Sequence, residues 1–92
     1  MSENLSDQIM EKVRFKIDPE GFFSTQIKVK TEDNIHFQVI VISEVFQPLN
    51  RVKRQQLVYA GLSEAIIGGE LHAVELRTYT PDEWMNGKNN NE

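Results

Sequence analysis

Cysteine is absent from this chain of 92 residues. The sequence therefore cannot form a disulfide, supply a thiol nucleophile or build a self-contained zinc or iron–sulfur site from cysteine. Histidine is scarce as well, since only His36 and His72 occur. Two imidazoles cannot form a histidine-rich metal cage, although they could be half of a site shared with another molecule.

Long apolar runs and a surplus of basic residues are also missing. No segment approaches the roughly 18 consecutive apolar residues of a membrane span. The N-terminus is acidic and polar, whereas a secretory signal is basic and then apolar. The formal net charge is −4, which opposes generic binding to nucleic acid because that affinity comes largely from neutralising phosphates. We expect a cytoplasmic protein that is not associated with a membrane.

The composition is that of one ordinary globular domain. Hydrophobic residues make up 39% of the chain and charged residues 26%, which is neither disordered nor membrane-like. No internal repeat or linker is visible. We expect a single domain over residues 1–85 and a flexible polar C-terminal tail over residues 86–92.

Hydrophobic spacing predicts the order helix, strand, strand, helix, strand, short helix. The predicted ranges are 3–16, 22–30, 35–43, 51–67, 71–79 and 80–84. The polar turn at residues 31–34 makes the first two strands antiparallel. Helices that cover one face of a small sheet give an α+β fold, here a small two-layer sandwich with a three-stranded sheet.

Alternation and helical spacing also predict which side chains face the core. In the first strand they are Phe23, Thr25, Ile27 and Val29. In the long helix they are Val58, Tyr59, Leu62, Ala65 and Ile66, with Leu57 outside this stripe. The second strand is almost continuously β-branched, which is typical of a central strand. Asn50 is predicted to cap the long helix, and Thr80 to cap the short one, with Pro81 at its first position.

No constellation of catalytic residues is present, which indicates a non-enzymatic protein. The sequence has no glycine-rich phosphate loop and no nucleophile elbow. Asp82 and Glu83 fit a first helical turn, where carboxylates complement the helix dipole. Glu32 and Asp33 are interpreted as solvated turn charges.

Three basic residues, Arg51, Lys53 and Arg54, open the long helix, at the end where the dipole disfavours cations. They could form a solvated face with incidental ion pairs. They could also contact an acidic protein partner or a phosphate backbone. Tyr59 and Tyr79 are interpreted as core or rim aromatics and not as platforms for base stacking.

The two histidines each have an ordinary and a functional interpretation. His72 stands on the same side of its strand as Val74 and Leu76, where an imidazole is usually buried and satisfied by a backbone hydrogen bond. His36 opens the second strand and could be an ordinary residue at a strand end. Both lie near strand starts, so they could also approach each other and contribute to a shared metal site.

Three segments carry a family resemblance: "HFQVIVISEVF" (36–46), "NRVKRQQLVYAGL" (50–62) and "LHAVELRTYTPDEW" (71–84). In their order and spacing they resemble the BolA family, in its IbaG-like branch. The resemblance implies the BolA fold, which is related to type II KH domains and has the order α-β-β-α-β-α. The GxxG loop with which KH domains clamp a nucleic-acid backbone has no counterpart here.

The resemblance also implies a partner and a cofactor. BolA proteins pair with a monothiol glutaredoxin and share a two-iron two-sulfur cluster, whose thiolates come from the glutaredoxin and from glutathione. By this resemblance His72, in the "HA" strand motif, and His36, in "HF", are the expected cluster ligands. The implied role is iron–sulfur cluster trafficking or iron and stress sensing. Our own hypothesis for the docking surface is the basic start of the long helix, with Arg51, Lys53 and Arg54, together with the residues after His72. The alternative is a KH-like DNA-binding regulator of a stress response. Homodimer formation by the chain alone is left open.

Overall fold

The computed structural model describes residues 5–33, 35–66 and 73–87 of the chain. Its helices and strands follow the predicted order, and its elements are α1 (Leu5–Ile17), β1 (Gln26–Thr31), β2 (His36–Ile42), a 3₁₀ turn (Glu44–Phe46), α2 (Arg51–Ile66), β3 (Ala73–Tyr79) and α3 (Pro81–Met85). Among these elements no helix is long and apolar enough to cross a bilayer.

The sheet has the strand order β1-β2-β3. The β1–β2 pair is antiparallel, as the polar turn predicts, and Ile27 lies opposite Val41. The β2–β3 pair is parallel, so α2 is the crossover that returns the chain to the same end of the sheet. The β-branched strand β2 is therefore central, which confirms the sequence prediction.

The core lies between one face of the sheet and helices α1 and α2. Its buried side chains alternate along the strands and recur along the helices: Ile9, Val13, Ile17, Ile27, Phe37, Val39, Val41, Phe46, Val58, Leu62 and Leu76. The predicted stripe of α2 is confirmed at Val58 and Leu62 but wrong at Tyr59, which is exposed. Leu57, expected elsewhere, is partly buried and packs against the core.

The first strand begins later than the sequence pattern predicts. Asp18 accepts hydrogen bonds from the backbone N–H of Phe22 (2.8 Å) and of Phe23 (3.1 Å). The Thr25 hydroxyl donates to the same carboxylate at 2.7 Å, and Ser24 has a positive φ of 51°. A buried carboxylate thus binds this segment as a loop and prevents it from pairing as a strand. Phe23 is consequently exposed and does not face the core.

The predicted helix caps are confirmed. The Asn50 side chain accepts a hydrogen bond from the backbone N–H of Lys53 at 2.9 Å. Thr80 and Glu83 form a capping box around α3, which has Pro81 in its first turn. Asn86 is the C-cap of α3 and donates its N–H to the Asp82 carbonyl. Residues 88–92 of the predicted tail lie outside the described residues.

Helices α1 and α2 approach each other at Gly61. A Cβ atom at this position would lie 2.9 Å from the carbonyl oxygen of Lys12 and 3.0 Å from the Cβ of Lys16. Real Cβ atoms do not tolerate a backbone oxygen so close, and any side chain here has to push the helices apart.

We therefore expect Gly61→Val to lower the free energy of unfolding by about 1–2 kcal/mol. Overpacking between the helices lowers the stability, and the higher helix propensity of valine compared with glycine offsets part of that loss. Urea denaturation should show a lower midpoint with an unchanged slope. Ala60→Val is the matched control, because Ala60 is its exposed neighbour on the same helix. Equal stability of the two variants would contradict a tight contact between the helices.

Candidate metal-ligand site and partner surface

His36 is the first residue of β2, and its imidazole is held by Asp33. The ring Nδ1 lies 2.8 Å from Oδ2 of Asp33. The other carboxylate oxygen, Oδ1, accepts hydrogen bonds from the backbone N–H groups of Ile35 and His36, both at 2.9 Å. The turn before the strand is thus closed by one aspartate that also orients the ring.

Asp33 is ionised under all ordinary conditions. The backbone N–H of His36 is the largest of the causes that hold the pKa of this carboxyl far below its usual value, followed by the His36 side chain and the N–H of Ile35. An ionised carboxylate only accepts hydrogen bonds. We therefore assign the proton of a neutral imidazole to Nδ1, which leaves Nε2 as the ring atom with a lone pair.

Asp33 has a larger role than the solvated turn charge that the sequence suggests. The available signal was the spacing: an aspartate three residues before a strand-opening histidine can bond both the backbone and the ring of that residue. The His36 side chain is 71% exposed, so its free nitrogen is accessible to another molecule.

The parallel register places Ala73 of β3 opposite His36. His72, the first of the expected ligands, directly precedes Ala73 in sequence and lies outside the described residues. The next pair along the two strands is Phe37 with Val74. Strands β2 and β3 thus begin side by side.

A shallow groove of about 590 Å³ lies at this end of the sheet. It is lined by Lys30, Thr31, Glu32, Asp33, His36, Phe37, Gln38, Val74 and Glu75. Within the described part of the chain, no three histidine, aspartate or glutamate side chains are grouped so that they could hold a metal ion. A metal centre built on His36 would therefore need further ligands.

The three basic residues at the start of α2 separate into two kinds. Arg51 and Lys53 are exposed. Arg54 has a side chain only 13% exposed, and its Nε donates to the carbonyl oxygens of Phe46 (3.2 Å) and Leu49 (2.9 Å). The guanidinium also lies 5.9 Å from the centre of the Phe46 ring.

The outer nitrogens of Arg54 form a two-pronged ion pair with Glu83. Nη1 donates to Oε1 at 2.8 Å, and Nη2 donates to Oε2 at 3.2 Å. Because Glu83 is also the capping-box residue of α3, this pair joins the start of α2 to the C-terminal helix. Most of the bonding capacity of Arg54 is therefore used within the fold, and Arg51 and Lys53 are the members of the basic group that a partner could reach.

The surface beside these cations continues onto β3. Gln55 donates from Nε2 to the carbonyl oxygen of Leu76 at 3.3 Å. Arg51, Gln55 and the strand from Glu75 to Tyr79 line a small cleft of about 270 Å³. Tyr79 packs against Trp84 with ring centres 5.3 Å apart.

Comparison with known proteins assigns the chain to a protein family. The family model described as BolA-like protein matches residues 8–83. Acid stress protein IbaG of Escherichia coli K12 is 50% identical over 52 residues, which cover 56% of this chain and 62% of IbaG. The match thus spans less than two thirds of that relative.

Solved structures give the same assignment. BolA1 from Arabidopsis thaliana is similar with a TM-score of 0.70 and 30% identity, covering 89% of this chain and 98% of that one. The BolA domain of SufE1 from the same plant has a TM-score of 0.68 and 27% identity, covering 90% and 99%. The family model covers the three-stranded sheet, α2, most of α1 and the capping box of α3, and the chain belongs to the BolA-like protein family.

Proposed function

We propose that this chain is a non-enzymatic adaptor that binds a monothiol glutaredoxin and carries, jointly with it, a two-iron two-sulfur cluster. The observation that supports this most directly is the exposed imidazole of His36, oriented by Asp33 and opposite the residue that follows His72. The cluster is the cargo of the pair. It serves iron–sulfur cluster trafficking or iron and stress sensing.

The chemistry of His36 fits a cluster ligand. Histidines that bind metals commonly donate the N–H of one ring nitrogen to a carboxylate, which fixes the tautomer and makes the other nitrogen more basic. The Nδ1–Asp33 contact provides this arrangement and directs coordination to Nε2. Histidine in place of thiolate raises the reduction potential of a two-iron cluster, and protonation of the imidazole releases the metal. Such a ligand suits cargo that must be handed on.

The sulfur ligands come from outside the chain. Since the sequence has no cysteine, thiolates have to be supplied by glutathione and by the glutaredoxin cysteine. His72 and His36 complete the coordination of the cluster. Arg51 and Lys53, exposed at the start of α2, form the docking surface with the cleft beside β3, and Arg54 supports that surface from within.

We expect His72→Ala to abolish or strongly alter the visible absorption of the mixed cluster, and His36→Ala to weaken cluster retention. Each variant is mixed with purified monothiol glutaredoxin and glutathione under reconstitution conditions, and iron content and spectrum are measured. Glu32→Ala is the control, because Glu32 is exposed in the same groove and is not an expected ligand. Normal spectra and full occupancy with both histidine variants would rule out ligation by this chain.

Size-exclusion chromatography of the same mixtures tests docking separately from ligation. A heterodimer that forms only with the cluster present supports joint coordination, and one that never forms removes the glutaredoxin partner altogether. The alternative of a DNA-binding regulator rests on the KH-like fold and on the basic start of α2, of which Arg54 is engaged in the fold. Tight binding to duplex DNA with a steep salt dependence would favour that alternative.

A further inference from the structure

A second groove lies between α1 and α2, away from the histidine site. It has a volume of about 810 Å³ and is lined by Glu11, Lys12, Arg14, Phe15, Lys16, Pro19, Ala60 and Gly61. None of these residues lines the groove at His36. The two grooves are therefore lined by separate sets of described residues.

The charge of this groove is opposite to that of the whole protein. Three of its described lining residues are cations and one is a carboxylate, whereas the chain has a net charge of −4. Arg14 is held in place by a hydrogen bond from Nη1 to the Thr25 carbonyl at 3.3 Å, which uses one of the five N–H donors of its guanidinium. A cationic cluster of this kind selects an anionic ligand.

The groove also offers an aromatic contact. Along α1 the side chains of Ile9 and Val13 are buried in the core, whereas Phe15 is 78% exposed. It stands between Arg14 and Lys16 in sequence and lines the groove with Pro19. An exposed aromatic ring at the edge of a concave, charged surface is the type of residue that anchors a protein partner.

We infer that this groove binds an acidic peptide segment of a second protein partner, with an apolar residue of the peptide against Phe15 and its carboxylates near Arg14 and Lys16. A peptide fits better than a nucleic acid because the site is concave, partly apolar and carries only three cations. Binding to a phosphate backbone depends on many neutralised phosphates. The adaptor would then have one surface for its cargo partner and another for a second protein.

The probe is a fluorescein-labelled peptide in which glutamates flank two leucines, titrated at low salt into isotope-labelled protein and followed by amide chemical shifts. We expect a dissociation constant on the order of 1 mM or tighter, with shifts confined to residues 11–19 and 60–61. Phe15→Ser and Lys16→Glu should each weaken binding by about tenfold or more. Replacement of the peptide glutamates with lysine should abolish it.

Two matched controls separate the groove from general attraction to exposed residues. Phe22 is 73% exposed and Lys28 is exposed, and neither lines the groove. Phe22→Ser and Lys28→Glu should leave the affinity within about twofold. Shifts outside the groove, an equal loss with Lys28→Glu, or no shift at millimolar peptide would overturn the inference. Tighter binding of duplex DNA or of anionic phospholipid vesicles at the same residues would overturn it as well.

Discussion

Replacing Phe46 with alanine is expected to lower the free energy of unfolding by about 3–5 kcal/mol. Phe46 ends the 3₁₀ turn after β2 and is the largest of the fully buried side chains among the described residues. Its removal takes apolar surface out of the core and leaves a cavity that the close-packed surroundings cannot fill. It also removes the aromatic face beneath the Arg54 guanidinium.

Urea unfolding of Phe46→Ala, monitored by far-UV circular dichroism, measures this effect. Phe15→Ala removes the same atoms from an exposed position and should change the stability by less than about 0.5 kcal/mol. Phe15 also lines the groove between α1 and α2. Its ring is expected to contribute to peptide binding there and not to the stability of the fold. A loss below about 1 kcal/mol for Phe46→Ala would show that the core at this turn is loosely packed.

The second large effect is expected for Arg54→Ala, which should lower the free energy of unfolding by about 2–3 kcal/mol. The substitution removes the donors to the carbonyls of Phe46 and Leu49 and leaves Glu83 without its cation. The ion pair itself contributes the smaller part, because the Glu83 side chain is 47% exposed and solvent screens such pairs. The hydrogen bonds from Arg54 to the two carbonyl oxygens and the packing of the guanidinium on Phe46 contribute the rest of the lost stability.

Lys53→Ala is the matched control for Arg54→Ala. Lys53 is an exposed cation of the same basic group, so its removal should leave the stability within about 0.5 kcal/mol. If docking to glutaredoxin uses the exposed cations, Lys53→Ala should weaken the heterodimer without unfolding the domain. Equal stability of the two variants would contradict a structural role for Arg54.

The pH dependence of the Arg54→Ala effect has a defined sign. The hydrogen bond from Arg54 is the largest of the causes that hold the pKa of Glu83 below its ordinary value of 4.5. A carboxyl whose pKa is lower in the folded state contributes stability above its unfolded pKa and loses it as the pH falls through the folded value. The free energy of unfolding of Arg54→Ala should therefore approach that of the wild type as the pH is lowered below 4.5.

The fold could be predicted because most elements carry local signals. Helical spacing, the caps at Asn50 and Thr80, and the β-branched run of β2 all favour the same order of elements. The start of β1 could not be predicted in the same way. Alternation continues through Phe23, but Asp18 binds the backbone of that segment, and a pattern of hydrophobicity contains no information about such a bond.

The site was predicted less completely than the fold. The sequence left the pairing of the second and third strands open, and the structure shows that it is parallel, with Ala73 opposite His36. The sequence analysis missed that Asp33 orients the His36 ring and that the Arg54 side chain bonds within the fold. The spacing of charged residues does not show which groups a long side chain contacts. The ligand roles of His36 and His72 both stay predictions that rest on the family resemblance.

The groove at His36 joins residues that are far apart in the chain. Asp33 and His36 precede α2, whereas Val74 and Glu75 follow it. Contacts of such high sequence separation form late, because the intervening chain has to be ordered first. A nascent chain that has emerged only as far as α2 can form the hairpin but not the groove. The groove at His36 is therefore complete only once β3 has paired with β2.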